Sequence, residues 1–173
     1  VLYNNEPLYI INNEGLITFN KNNNINNVSF KDLFDIYVGL VTGKESVYKN
    51  KEHGNIELLN GENKLDKYIF IEEFPSSNEK INKYLLSYKD ELMSRKIKKF
   101  NEKNWFEWGA PRNIKIIKEN IGKECIYIYN LTRHENIVFK GIVKYFGGGL
   151  IILIPKKKIN LDNIISYLNS DNF

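Results

Sequence analysis

Three features of the 173-residue sequence predict an α+β fold, with a mixed or antiparallel twisted sheet, two or three helices and many loops. Short apolar runs with strand-like alternation recur between turn signals. Two stretches, one central and one at the end, instead carry apolar residues at steps of three and four, the period of a helix face. Strand-rich regions lie before and after the central helix, and no internal repeat or linker divides the chain, so one domain spanning residues 1–173 is expected.

The elements follow in order. PLYII and LITF read as a hairpin turning at Asn12-Asn13-Glu14-Gly15, and the polar stretch from Asn20 to Asn27 reads as a surface loop. Ser29 with Asp32 three residues later can cap a short helical turn. DIYVGLVTGKESVYKN reads as strand, glycine-bearing loop, strand, and NIELLNGENKLDKYIFIEEF as a strand pair turning at Asn60-Gly61-Glu62-Asn63. After Pro75-Ser76-Ser77, the spacing of Ile81, Tyr84, Leu85, Tyr88 and Leu92 predicts one helix of about four turns. Gly109-Ala110-Pro111 must end any helix before it. NIKII, ECIYIYNL, IVFKGIVKYF and LIILIP read as strands, with Gly147-Gly148-Gly149 as a hairpin connection between the last two. DNIISYLNS closes the chain as a helix with Leu161, Ile164, Ile165 and Leu168 on one side.

A chain of this length can bury roughly 70% of its unfolded surface, so it needs no disulfide or metal to fold. Cys125 is its one cysteine, and Cys125, His53 and His134 lack the spacing of zinc ligands. The N-terminus has no signal-peptide pattern, and LIILI at 150–154 is about a quarter of a membrane span, so a cytoplasmic protein with no membrane partner is expected. The start at Val1 without an initiator Met suggests a piece of a longer protein.

The composition, with 26 Asn, 24 Ile and 22 Lys against one Ala and three Arg, is what an AT-rich genome gives any protein. Lysine content therefore says little, but its placement says more. Residues 1–79 carry 7 basic and 12 acidic groups, residues 80–118 carry 11 and 4, and residues 119–173 carry 7 and 5. Genome bias would spread lysine evenly, so the basic centre needs a local cause.

No catalytic set emerges. The glycines of Phe146-Gly147-Gly148-Gly149 lead into a buried strand, whereas a cofactor loop leads from strand into helix. Glu62 and Lys64 have the spacing of half a nuclease motif but fall in a turn. Glu72 and Glu73 point to opposite faces of a strand. Cys125 reads as a small core residue. The chain alone is expected to catalyse nothing.

What remains is the basic centre with its aromatics: RKIKK, then Phe100, Trp105, Phe106, Trp108 and Arg112. Positive charge gives affinity for phosphates, and aromatic rings either stack on bases or pack the scaffold. The two tryptophans read more readily as core. Guanidinium forks suit guanine edges, which singles out Arg95, Arg112 and Arg133, although each could equally sit in an internal salt bridge.

Taken in order, FDIYVGLVTGKESVY, the helix YLLSYKDELMSRK, the Trp-bearing NWFEWGAPRN with its Pro-Arg pair, and IISYLNS resemble the TaqI-like C-terminal specificity domain of bacterial adenine-specific DNA methyltransferases. The resemblance covers about residues 28–170. It implies a target recognition domain of a restriction-modification enzyme that binds double-stranded DNA. A catalytic domain elsewhere in the same chain would use S-adenosylmethionine and hold the flipped adenine in an Asn-Pro-Pro-aromatic motif, absent here, so no cofactor is expected in this fragment. A cognate restriction endonuclease is a further expected partner. By role, Lys44 and Tyr48 would lie near the DNA backbone or groove wall. Arg95, Lys96, Lys98 and Lys99 would contact phosphates, Arg112 and Asn113 would face base edges, and Arg133 and the glycines Gly147, Gly148 and Gly149 would make secondary contacts. The alternatives are the specificity subunit of a multi-subunit restriction system, or a protein- or RNA-binding module.

Overall fold

A computed structural model describes residues 2–3, 6–13, 16–20, 29–131 and 136–170. The chain divides into two compact units, Val1–Leu33 and Phe34–Phe173. The first unit pairs β1 (Leu2–Tyr3) with β2 (Glu6–Pro7), and β3 (Tyr9–Asn13) with β4 (Leu16–Asn20), both antiparallel. The second pair is the expected hairpin; Glu14 and Gly15 of its turn lie outside the described residues. The unit ends in α1 (Phe30–Leu33), capped as its sequence suggests. The Ser29 amide donates to Asp32 Oδ2 (3.1 Å) and Ser29 Oγ accepts from the Lys31 amide (3.2 Å).

The second unit is α+β. Its four-stranded sheet contains β5 (Phe34–Val38), β8 (Glu124–Tyr129), β9 (Val138–Ile142) and β10 (Leu150–Pro155) in the order β5-β10-β8-β9, every pair antiparallel. LIILIP is continuously apolar because β10 is a central strand with both faces buried. Tyr37, Ile152, Tyr127 and Phe139 align across one face. That face meets the main core, which includes Trp105, Trp108, Leu85 and Leu92. On the other face α6 (Leu161–Leu168) packs over β8 and β9. There Leu161 and Leu168 are buried, as are Phe34, Ile126, Val138 and Leu153 of the strands. Asn169, from the Leu-Asn-Ser ending, fastens this helix to edge strand β9. Its Oδ1 accepts from the Ile137 and Val138 amides (3.0 and 3.2 Å) and its Nδ2 donates to the Val138 carbonyl (3.1 Å).

Between β5 and β8 come α2 (Glu45–Tyr48), the hairpin β6 (Ile56–Gly61) and β7 (Lys64–Tyr68), α3 (Glu79–Ser87), α4 (Lys89–Met93) and α5 (Ile114–Asn120). The β6-β7 turn falls where expected, with Asn63 at φ 59°, a conformation asparagine tolerates.

Four expectations are corrected. GKESVY is a helical turn, not a strand: the Tyr48 amide donates to the Lys44 carbonyl (3.2 Å), and adjacent Val47 and Tyr48 are both buried. NIKII is helix α5; Ile114 and Ile117, three apart, face inward, and packing at helical spacing overrides the strand preference of β-branched residues. The four-turn helix is broken at Tyr88 (φ −111°, ψ 10°) into α3 and α4, although Ile81, Leu85 and Leu92 still share the buried side. The triple glycine does not join neighbouring strands, because β8 lies between β9 and β10. Among the described residues no helix is long and apolar enough to cross a membrane.

Candidate nucleic-acid interface

The loop after β5, residues 39–44, organises the basic region. The Leu40 amide donates to the Phe146 carbonyl (2.9 Å), and a Cβ on Gly39 would stand 2.0 Å from the Gly147 oxygen, so the backbones cross where only glycine fits. On the other side Val41 and Ala110 exchange amide-to-carbonyl bonds (3.0 and 2.9 Å), and the Gly109 amide donates to the Thr42 carbonyl (2.8 Å). Ile97 closes over Gly43 and Gly109, leaving 2.4 and 2.9 Å between its Cδ1 and the positions a Cβ would take. Three segments distant in sequence, 95–99, 109–113 and 146–149, therefore meet on one loop.

Arg95 holds this assembly from inside. Its Nε donates to the Leu92 carbonyl (2.7 Å), Nη1 to Thr42 (2.9 Å), and Nη2 to Trp105 (2.6 Å) and Glu107 (2.9 Å), while its guanidinium lies 3.8 Å from the Phe100 ring centroid. Burial lowers its pKa, opposed by the neighbouring Tyr48 and Glu107. With 9% of its surface exposed, Arg95 is a tie between segments and not the phosphate contact expected from its charge. Tyr48 is corrected likewise. It is 1% exposed and its hydroxyl donates to the Phe106 carbonyl (2.8 Å), so it cannot line a DNA groove wall; burial pushes its pKa up to about 12. Trp105 and Trp108 are core, as read. Trp108 Nε1 donates to the Ile69 carbonyl (2.9 Å), and its ring meets Tyr48, Tyr68 and Phe70 edge-on.

Beside the loop lies an open groove of about 780 Å³ lined by residues 40–46, Lys49, Asn60, Lys64 and the three glycines, among others. Lys44 and Gly148, both expected site residues, line it. A hydrogen-bonded chain crosses it. The Tyr68 hydroxyl donates to Glu45 Oε1, Asn60 Nδ2 donates to the Tyr68 oxygen (3.0 Å) and to Asp66 Oδ2 (2.9 Å), and Lys49 pairs with the same Asp66 oxygen (2.8 Å). The Lys49 hydrogen bond holds the Asp66 carboxyl below its usual range, whereas burial, with help from Glu45, raises the Tyr68 phenol. These acids are thus engaged internally, which limits their repulsion of an anion.

The other expected residues are carried by the segments that meet the loop. Lys96 and Lys99 are exposed; Lys98 pairs with Glu107 (2.7 Å), and Lys44 with Glu91 (2.5 Å). Arg112 is exposed, with no ion pair among the described residues. Asn113 sits at φ 59° ahead of α5, and its Nδ2 donates to the Val38 carbonyl (3.3 Å). Arg133 and His134 lie outside the described residues. Sequence reasoning missed Lys49, Asn60 and Lys64 as groove residues. The β6-β7 turn was legible, but not its approach to the glycines, where the Gly147 amide donates to the Leu59 carbonyl (3.0 Å). Among the described residues no group of three or more His, Cys, Asp and Glu could hold a metal ion.

The α+β unit brings Lys44, Lys49 and Lys64 to the wall of one open groove. No protein-family model matches the chain. Over 84% of its length it is 30% identical to the type II methyltransferase M.MjaIV of Methanocaldococcus jannaschii, and it spans 57% of that protein's length. The chain is thus similar to part of a type II methyltransferase.

Proposed function

We propose that this chain is the DNA target recognition domain of an adenine-specific, S-adenosylmethionine-dependent methyltransferase of a restriction-modification system, acting in the cytoplasm. It binds duplex DNA and presents the target adenine to a catalytic domain in the same chain, in step with a cognate restriction endonuclease. The observation that carries this reading is the meeting, at the 39–44 loop with its Lys44, of the segments that carry Lys96, Lys98, Lys99, Arg112 and Asn113, in a chain similar to part of a type II methyltransferase. Lysines supply affinity for the phosphate backbone, and Arg112 and Asn113 suit guanine and adenine edges.

The glycine connection does not fit the cofactor. It leads into strand β10, the Gly147 amide is taken by Leu59, and Asn60 Oδ1 occupies the place a ligand would need, 2.2 Å from the Gly147 Cβ position. S-adenosylmethionine is therefore assigned to the catalytic domain, with no step routed through this one.

Titration of duplex DNA at varied salt tests the reading. Affinity should fall with a log-log slope on the order of −4, as for a handful of phosphate contacts, and a flat response would overturn it. Lys96→Ala with Lys99→Ala should weaken all duplexes alike, whereas Arg112→Ala should relax preference at one base position in the intact enzyme. Unchanged preference would remove Arg112 from base reading.

A further inference from the structure

The three consecutive glycines have unequal structural explanations. A Cβ on Gly147 would meet Asn60 Oδ1 at 2.2 Å, and one on Gly148 would meet Val41 Cγ2 at 2.8 Å. At Gly149 nothing lies within 4 Å of the Cβ position, and φ is outside the left-handed region. The fold itself gives no reason for a glycine there. A glycine that its own chain does not require, on the wall of a groove, suits a position where a ligand approaches the backbone.

The local geometry supplies donors for such a ligand. The Leu150 amide bonds to the Gly147 carbonyl (3.0 Å), closing a four-residue turn with Gly148 and Gly149 at its tip. The amides of both tip residues find no acceptor among the described residues. Three lysines line the same groove. Lys44 is paired with Glu91 and Lys49 with Asp66, while Lys64 makes no ion pair among the described residues. Free backbone amides beside an unpaired ammonium form an anion site, and the bare glycine tip lets an anion reach the amides.

We propose that the Gly148–Gly149 tip and Lys64 together seat one phosphate of the duplex backbone, a contact that rests on the DNA-recognition reading and fixes the register of the duplex along the groove. The amides bind its oxygens at close range, and the ammonium neutralises its charge.

The test is duplex titration of the intact protein and its variants across salt. Salt-dependent binding by the wild type is the precondition; its absence would defeat the DNA reading itself, apart from this seat. Given that binding, Gly149→Ala should leave the melting temperature unchanged and weaken binding about tenfold, as for one or two charge-assisted hydrogen bonds. Lys64→Gln should weaken binding and reduce the salt slope by about one. The double variant should lose less than the two single losses combined, because both act on one phosphate. Wild-type affinity in a stably folded Gly149→Ala protein, or additive losses, would overturn the proposal. If Gly149→Ala fails to fold, an unchanged slope in Lys64→Gln would do so. Displacement of the duplex by inorganic phosphate at matched ionic strength, from the wild type and not from the double variant, would assign the seat to a free anion and overturn the backbone role.

Discussion

The two faces of the four-stranded sheet are built differently. Under α6 the packing is mainly aliphatic, with Ile126, Val138, Leu153, Leu161 and Leu168 beside Phe34. Hydrophobic burial stabilises it, and Asn169 sets the helix against β9. On the opposite face Tyr48, Tyr68, Trp105, Trp108 and Phe106 are buried together, and polar atoms within that core bond to backbone carbonyls of distant loops. Aliphatic packing holds a helix on a sheet, but it is non-directional. Placing four loops to within a hydrogen-bond length requires directional donors at fixed points, and the aromatic face provides them.

The largest expected effect comes from removing such a donor set. Arg95→Ala strips hydrogen bonds from four carbonyls and opens a cavity over Phe100, which should destabilise the fold by about 3 kcal/mol or more. DNA binding should be lost with it, although Arg95 is too buried to touch DNA. Arg95→Lys keeps the charge but not the fork, so it should recover only a small part of both. Chemical denaturation and duplex titration on each variant check this. A stably folded Arg95→Ala protein with full DNA affinity would break the link between the aromatic face and the loops.

The aliphatic face gives the complementary test. Leu168→Ala should cost about 2–4 kcal/mol in denaturation, the range for truncating a buried leucine. Below its melting transition the variant should bind duplex DNA as the wild type does, since α6 packs on β8 and β9 rather than on the loops.

The same contrast decides what was legible in the sequence. DNIISYLNS could be read because its contacts are periodic: apolar residues at helical steps against a sheet. The strands ECIYIYNL and LIILIP and both hairpins were legible for the same reason, as was the placing of the tryptophans in the core. Of the candidate site residues, Lys44 and Gly148 line one groove, but charge alone could not separate Arg95 from its neighbours Lys96 and Lys98. That distinction depends on carbonyls at Thr42, Trp105 and Glu107, which only the folded chain brings within reach. NIKII was misread because β-branching is a local signal, whereas the fit of Ile117 into the core is not.

The smallest effect sharpens the comparison through pH. Burial raises the phenol of Tyr48 to about 12 and also raises those of Tyr68 and Tyr127, all on the aromatic face. In the unfolded chain a tyrosine ionises near its ordinary value of about 10. The folded state keeps the proton longer, so the stabilisation is complete below pH 10 and is lost as pH rises through the folded values. Each such tyrosine adds about 1.4 kcal/mol per pH unit to the loss between those limits. Tyr48→Phe should cost about 1 kcal/mol at neutral pH, for the hydrogen bond to the Phe106 carbonyl, and should make the alkaline loss shallower by one proton. Leu168→Ala, on the face without a buried tyrosine, should lower stability at every pH and leave the alkaline slope as in the wild type. Denaturation midpoints from pH 8 to 12 separate the two. Equal slopes in wild type and Tyr48→Phe would mean that the Tyr48 hydroxyl is not held protonated by burial, and that the ring alone ties α2 to the aromatic segment.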